Sequence, residues 1–581
     1  YGVAPDDLAA AVERLALQSG ETRQVQRLRE TALLYRDYAA GAAEGYAGYA
    51  ANMAYLAGRI KAGYLAEAAI YLDGYADFTP AEEQVLAAFF ATDARITIAL
   101  PIDPALLDGP PLANHVFAQP LAVWQRLCRL AETRGAALEP PVLLSGEHGR
   151  FAENPELAAL EASLAGRRRQ PLPQQPQHIF LGRAEDMRAE LEGIGRRIIR
   201  LTREQGLRYR DISIITRDTA PYEQLLTEVF DGLGIPFFVD SKKPLLCHPL
   251  FELLRSALET MAYRPTYERI MRFCKNILIP LAAEEKDSLD NYALAHGLRF
   301  WHWLSERPWD FPLLPDEEPE LAAYMDNLRQ RACGPLLDEL RRLPRQLSSR
   351  ELNRILLAVL ERLQVREALR QLAEQARQQG RAEDAEQHNQ AWDKLTDFLR
   401  EAGELLGEQT FTFSQLLKLY DAALAGLTVS TIPPGIDQVF VSSLERSRSP
   451  RIKAAFVPTV NEGILPRKVV LDGLFSDEDR RQLRSCGAAL APDTLQRQFA
   501  EDYLCYIALT RACGQLYLSF VGEDSQGQPL KPSPLLRRIK SLFPALQTEP
   551  YEPLTADLLV GGELDLARMA GQLSAAGEGR I

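Results

Sequence analysis

Between the apolar runs Gln438–Val441 and Ala454–Val457 the chain places Ser443, Arg446, Ser447, Arg448, Ser449, Arg451 and Lys453 in one short stretch. Clustered cations beside small hydroxyls suit contacts to phosphate oxygens along a nucleic-acid strand, because they neutralise backbone charge without reading a base. A plain solvated basic loop fits the same residues, and both readings stay open on sequence alone. Arg217, at the end of Ile212-Ser213-Ile214-Ile215-Thr216, is a further cation at a strand end, again with a solvated arginine as the alternative. Asp73-Gly74, closing Ala69-Ile70-Tyr71-Leu72, is the kind of pair that makes a turn. The seven cysteines form no CxxC pair, and Cys505 and Cys513 have no histidine at ligand spacing, so reduced thiols are expected rather than a metal site. No Gly-Lys pair occurs, so no phosphate-cradling Walker A loop is encoded.

These groups need regular elements to position them. Residues 1–66 are rich in Ala, Leu and Arg, with helical recurrence at Leu28, Leu33, Leu34 and Tyr35. Ala69–Leu72 reads as a strand, Pro80 opens an amphipathic helix with Val85, Leu86, Phe89 and Phe90 on one face, and Ile96–Leu100 reads as the next strand. Strand, helix, strand at this spacing is half of a parallel α/β sheet. The Pro- and Arg-rich stretch Gly166–Gln177 reads as a linker. A second α/β unit follows, with strands at Ile179–Leu181, Ile212–Ile215 and Ile235–Val239, and helices through Arg200 and after Asp218. From about Leu250 to Leu427 the pattern is nearly all helical. Strands return at Gln438–Val441, Ala454–Val457 and Gln515–Phe520, the last after one long helix to Thr510. A helical block thus interrupts an α/β domain that opens before it and finishes after it. Two α/β units of this kind suit a nucleotide-dependent motor with ATP between its sheets.

At 581 residues the chain is too long for one core, and size suggests roughly three to five structural units. An apolar share of 46% and a charged share of 25% are ordinary for a globular protein. The formal net charge of −13 argues against a protein that coats nucleic acid indiscriminately, but leaves room for a local basic groove. The uncharged stretch Gly45–Gly58 is shorter than the roughly 20 apolar residues that span a bilayer. No signal peptide precedes it, so a cytoplasmic protein without membrane association is expected. The first residue is Tyr1, and the chain is read as an internal piece of something longer.

Four segments carry a resemblance: Ile70–Pro80; Arg208–Asp218 with Ile235–Asp240; Ile436–Arg448 with Lys453–Val457 and Asn461–Pro466; and Tyr506–Ala512 with Gln515–Leu518. They resemble superfamily 1 helicases of the UvrD/RecB kind, and more closely the AddB/RexB subunits of bacterial helicase–nuclease complexes. In an active helicase the first of these strands ends in Asp-Glu, the Asp orienting the Mg²⁺ shell and the Glu polarising the attacking water. Here Asp73 keeps the Asp position and Gly74 replaces the Glu, a loss that costs orders of magnitude in hydrolysis. The resemblance gives Arg217 a part in holding single-stranded DNA. It gives DNA contacts to Ser443, Arg446, Arg448, Arg451 and Lys453, where active helicases carry Thr–X–His and Lys-Gly-Leu. Arg511 of Thr510-Arg511-Ala512 keeps an arginine-finger position, but Ala500-Glu501-Asp502-Tyr503 replaces the usual Glu-Glu-Arg-Arg, so a mainly structural role is the alternative.

The resemblance implies an α/β fold of two RecA-like parallel-sheet domains with large helical insertions, an inactivated superfamily 1 helicase architecture. Residues 1–66 would be a helical 1B-like region and 67–175 the C-terminal part of the first RecA-like domain (1A) plus linker. Residues 176–249 would open the second RecA-like domain (2A), 250–432 form a 2B-like helical insertion, 433–545 complete 2A, and 546–581 extend toward a nuclease domain outside this chain. No catalytic set is intact; Asp73 and Arg511 mark a degenerate nucleotide site, and no metal ligands are expected here. The family implies ATP and Mg²⁺ for the complex, and an iron–sulfur cluster plus Mg²⁺ in the nuclease domain. Its implied partners are an AddA-type helicase–nuclease, as a heterodimer, and single- and double-stranded DNA ends. The expected role is a DNA-handling scaffold that serves double-strand break repair, holding the unwound strand and screening it for a hotspot sequence. Alternatives are a protein–protein adaptor without direct DNA binding, or a weak ATP-dependent translocase. Whether the chain is itself an enzyme stays open: the intact family protein is part of an ATP-dependent helicase/exodeoxyribonuclease, whereas this stretch alone is expected to be inactive.

Overall fold

The structure, a computed structural model, describes residues 3–43, 49–65, 67–75, 77–107, 115–144, 149–168, 170–263, 265–311, 320–379, 381–430, 435–446, 452–470, 473–488 and 490–551. The chain divides into two compact units, residues 1–240 with 435–581, and residues 241–434.

The first unit opens with α1 (Pro5–Ser19), α2 (Arg23–Ala43) and α3 (Tyr49–Lys61). Then β1 (Ala69–Leu72), α4 (Pro80–Phe89) and β2 (Arg95–Ile98) form a small parallel pair, in register from Ala69 opposite Arg95 to Leu72 opposite Ile98. Thr79 caps α4 and Glu82 returns the bond to the Thr79 backbone, which fixes the helix start behind Pro80. Next come α5 (Ala118–Arg134), α6 (Pro155–Leu164), β3 (Ile179–Ala184), α7 (Met187–Glu204), β4 (Ile212–Thr216), α8 (Glu223–Gly232) and β5 (Phe237–Asp240).

The second unit is mostly helical: β6 (Lys242–Pro244), α9 (Pro249–Ala262), α10 (Tyr267–Cys274), α11 (Ala283–Ala295), α12 (Phe300–Leu304), α13 (Leu321–Arg342), β7 (Gln346–Ser348), α14 (Ser349–Arg362), α15 (Val365–Gln378), α16 (Ala382–Leu406), β8 (Thr410–Thr412), α17 (Phe413–Leu424) and β9 (Thr428–Ser430). One continuous apolar core, running from Leu245 to Val429, holds it. The antiparallel pairs β6–β9 and β7–β8, absent from the sequence reading, join segments far apart in the chain.

The first unit resumes with β10 (Val439–Ser443), β11 (Ile452–Val457), α18 (Asp477–Ser485), α19 (Thr494–Leu509), β12 (Ala512–Val521), α20 (Pro534–Leu542) and β13 (Thr548–Pro550). Strands from before and after the helical unit interleave in one seven-stranded sheet of order β13-β3-β12-β11-β4-β10-β5. All its pairs are parallel. Both faces are covered: Ile214, Val441 and Phe456 pack with α7 and α8, whereas Ile215, Ala455 and Leu518 pack with α6, α19 and α20. This accounts for the near-continuous apolar strands, since a parallel sheet has no wet face.

Three expectations need correction. The long helix before Thr510 is two helices, α18 and α19, because Gly487 turns the chain at φ +93° and Asp493 caps a new start. Helix α6, expected in the first sheet domain and its linker, packs Leu157, Leu160 and Leu164 on the seven-stranded sheet instead. Residues 548–550, expected to lead away, add the edge strand β13 beside β3. Tyr551 anchors this turn-back: a Cβ on Gly182 or Gly193 would meet its ring at 2.4 or 2.5 Å, so both glycines leave room for it.

Candidate nucleic-acid interface

The carboxyl edge of a parallel sheet is where strand ends and following loops present side chains together. Arg217 follows β4 directly, and Ser443 ends β10 opposite Thr216. Arg217 Nε and Nη2 donate to Glu501 of α19 at 2.8 and 2.6 Å, and Nη1 donates to Glu445 at 2.8 Å. The Arg217 and Glu501 side chains are only 11% and 10% exposed, whereas Glu445 is 50% exposed. Burial works against the Arg217 charge, but the Glu501 bonds and both carboxylates outweigh it and hold the guanidinium protonated. Burial, reinforced by Asp502 and Glu501, pushes the neighbouring Cys505 thiol up, so it stays neutral.

Arg446, three residues past Ser443, forms a two-point pair with Asp240 at the end of β5, at 3.0 and 2.8 Å. Arg467, which the sequence reading passed over, reaches the same edge from the loop after β11: its backbone N–H meets Glu501 at 3.3 Å and its guanidinium lies 3.4 Å from Asp218. The signal for it was the exposed tract Arg467-Lys468 behind Pro466. Beneath that loop Thr459, buried at a left-handed φ of +49°, donates its N–H and hydroxyl to the fully buried Glu190 at 2.8 and 2.7 Å. Burial raises the Glu190 carboxyl above its ordinary range. The Tyr222 hydroxyl also bonds Thr459, and Asn461 ties the loop to Val521 through bonds of 2.8 and 3.1 Å. So many partners on one strained residue fix the loop's exit direction. At the same edge the Thr216 and Ser442 hydroxyls are buried without a hydrogen-bond partner among the described residues.

The structure thus gathers Arg217, Ser443 and Arg446, and adds Arg467. It separates Lys453, whose Nζ lies 3.1 Å from Asp211 at the opposite, amino edge. Adjacency in the loop had suggested one cluster, but β10 and β11 run parallel with β4 between them, so the connection crosses from one edge to the other. Arg448 and Arg451 lie outside the described residues.

Asp73 is exposed at the carboxyl end of β1, followed by Gly74 at φ +77°. Arg511 is half-buried at the amino end of β12, where Arg150 holds the preceding Thr510 carbonyl at 2.8 Å. Neither belongs to the edge that carries Arg217. Among the described residues no three His, Cys, Asp or Glu side chains converge as metal ligands. Among the described residues no helix is long and apolar enough to cross a membrane.

Comparison with known proteins gives this geometry its context. Residues 1–161 match the family model described as ADDB, N-terminal. The chain is 37% identical over 567 residues to the B subunit of the ATP-dependent helicase/deoxyribonuclease of Desulforudis audaxviator, covering 94% of this chain and 48% of that protein. The protein of the same name from Pelotomaculum thermopropionicum is 35% identical over 595 residues, covering 99% and 51%. That from Geobacillus kaustophilus is 35% identical over 565 residues, covering 94% and 48%. The chain spans about half the length of the curated relatives it matches. With matches along nearly its whole length, and the interrupted parallel sheet those motifs require, the chain belongs to the AddB family.

Proposed function

We propose that this chain is a helicase-shaped, DNA-handling scaffold within an ATP-dependent helicase/deoxyribonuclease that processes double-strand breaks. In this reading it works in the cytoplasm beside an AddA-type partner, holds the unwound strand along the carboxyl edge of the seven-stranded sheet, and screens it for a hotspot sequence. The observation that carries the reading is the delivery of Arg217, Arg446 and Arg467 to one sheet edge from three separate strand ends. Arg448, Arg451 and Lys453 are further phosphate contacts within the same proposal. Asp73 and Arg511 are remnants of a nucleotide site; ATP, Mg²⁺ and the iron–sulfur cluster belong to the rest of the complex.

The test is fluorescence-anisotropy binding of a labelled dT20 strand across a salt series. Each phosphate contact contributes about 0.7 to the slope of log affinity against log salt for single strands. Arg446→Ala and Arg467→Ala should each flatten that slope by about this amount. An adaptor without DNA contact is the second reading, favoured by the carboxylate held by each of the three arginines. A salt-independent response in the unaltered protein and in both variants, persisting when the carboxylates facing these arginines are neutralised, would establish the adaptor.

A further inference from the structure

We propose that Glu445, Asp240 and Asp218 are phosphate place-holders: carboxylates that occupy the outward donors of Arg217, Arg446 and Arg467 and yield them to the backbone of a passing strand. The inference rests on the strand-holding reading above. It starts from an asymmetry at Arg217. Glu501 is buried and grips Nε and Nη2 from within the fold, whereas Glu445 is half exposed and takes only Nη1, at 2.8 Å. A buried two-point grip is permanent, because releasing it would strand a charge. An exposed single contact is worth little and exchanges freely. An oxygen of a phosphodiester arriving from solvent can take the Glu445 position without disturbing Glu501.

The neighbours each carry a carboxylate too, without a buried two-point grip behind it. Arg446 is 41% exposed and its partner Asp240 18% exposed. Arg467 and Asp218 are 49% and 53% exposed, with a long 3.4 Å contact. All three acids come from strand ends or adjoining loops of the same edge, so each cation carries its own competitor. A basic groove without such competitors would hold DNA tightly and stall a strand that has to move. Here each phosphate contact is an exchange of one anion for another, which offsets most of the attraction and lets a pulled strand advance. The chain's net charge of −13 agrees with a groove not built for tight, indiscriminate binding.

The test uses isosteric neutralisation in the full chain: Glu445→Gln, Asp240→Asn, Asp218→Asn and the triple variant, each checked by circular dichroism and thermal midpoint. Asn at 218 can keep the bond to the Ala220 N–H that the aspartate makes. Binding of labelled dT20 is measured from low to high salt. Each single change should tighten binding severalfold at low salt, with the triple variant cumulative. Tightening in the triple variant when the unaltered chain binds too weakly to detect also supports the proposal. Salt-dependent binding that Arg446→Ala weakens, with the three neutralised variants no tighter than the unaltered chain, overturns the place-holders and leaves the strand-holding reading standing. No salt-dependent binding in any form, the triple variant included, overturns both.

Discussion

Arg217 and Glu501 form a two-point ion pair that joins the end of β4 to the middle of α19, with both side chains about nine-tenths buried. Removing Glu501 leaves the buried Arg217 charge with only the half-exposed Glu445 as partner. Glu501→Ala should therefore destabilise the first unit by about 3 kcal/mol, read as a fall in the urea midpoint. The double variant Arg217→Met with Glu501→Leu should recover most of that loss, because two apolar side chains need no partner. A double variant as unstable as Glu501→Ala would show that the pair contributes more than charge compensation.

Gly74 bears on the proposed remnant of a nucleotide site. Its φ of +77° is one that a glutamate reaches only with strain of about 1–2 kcal/mol. Gly74→Glu should accordingly lower stability without restoring DNA-stimulated ATP turnover. Asp73→Ala should leave the ATP turnover of the assembled complex nearly unchanged. A large fall in turnover on Asp73→Ala, measured by steady-state phosphate release, would show that the remnant still works.

The α/β architecture was legible because buried parallel strands read as near-continuous apolar runs, as Ile212-Ser213-Ile214-Ile215, broken only by Ser213, and Ala454-Ala455-Phe456-Val457 do. β13 was not, because Thr548-Glu549-Pro550 is polar and its place comes from Tyr551 seated over two distant glycines. The short strands β7 and β8 were hidden likewise, since each pairs with a partner more than sixty residues away. In the candidate site, Arg217 and Arg446 could be marked as strand-end cations, but their carboxylate partners Glu501 and Asp240 lie 284 and 206 positions away. Only the strand order shows that Arg446 and Lys453, seven positions apart in the chain, leave opposite edges of the sheet.

The second unit contains a pH-sensitive contact. His248 Nδ1 accepts the Leu250 N–H at 3.2 Å, which leaves Nε2 to donate to His388 Nδ1 at 2.9 Å. Burial, then the nearby His388, lowers the His248 pKa from 6.5 to about 4. The folded state therefore binds fewer protons than the unfolded state between those values, and stability rises with pH across that window. Acidification from pH 6.5 to 4 should remove up to about 3 kcal/mol. His248→Asn keeps a side-chain acceptor for the start of α9 and should flatten this dependence. An unchanged pH profile of the urea midpoint in that variant would assign the effect to other groups.

Gly193 sits inside α7, where replacing glycine by alanine ordinarily gains about 1 kcal/mol of helix propensity. The neighbourhood reverses the sign. An alanine Cβ at 193 would lie 2.5 Å from Tyr551 Cγ, a ring carbon rather than the end of a flexible chain. The ring has little room to retreat, because it is also packed over Gly182, where a Cβ would meet its Cζ at 2.4 Å. Gly193→Ala should therefore expel Tyr551, release β13 from β3 and cost about 1–3 kcal/mol, with faster amide exchange at Tyr551. Tyr551→Ala alone should release the same edge. The combination of Tyr551→Ala with Gly193→Ala should be no worse than Tyr551→Ala, since the clash is gone and the helix propensity remains. Additive losses in the double variant would mean that Gly193 serves the fold through something other than the tyrosine above it.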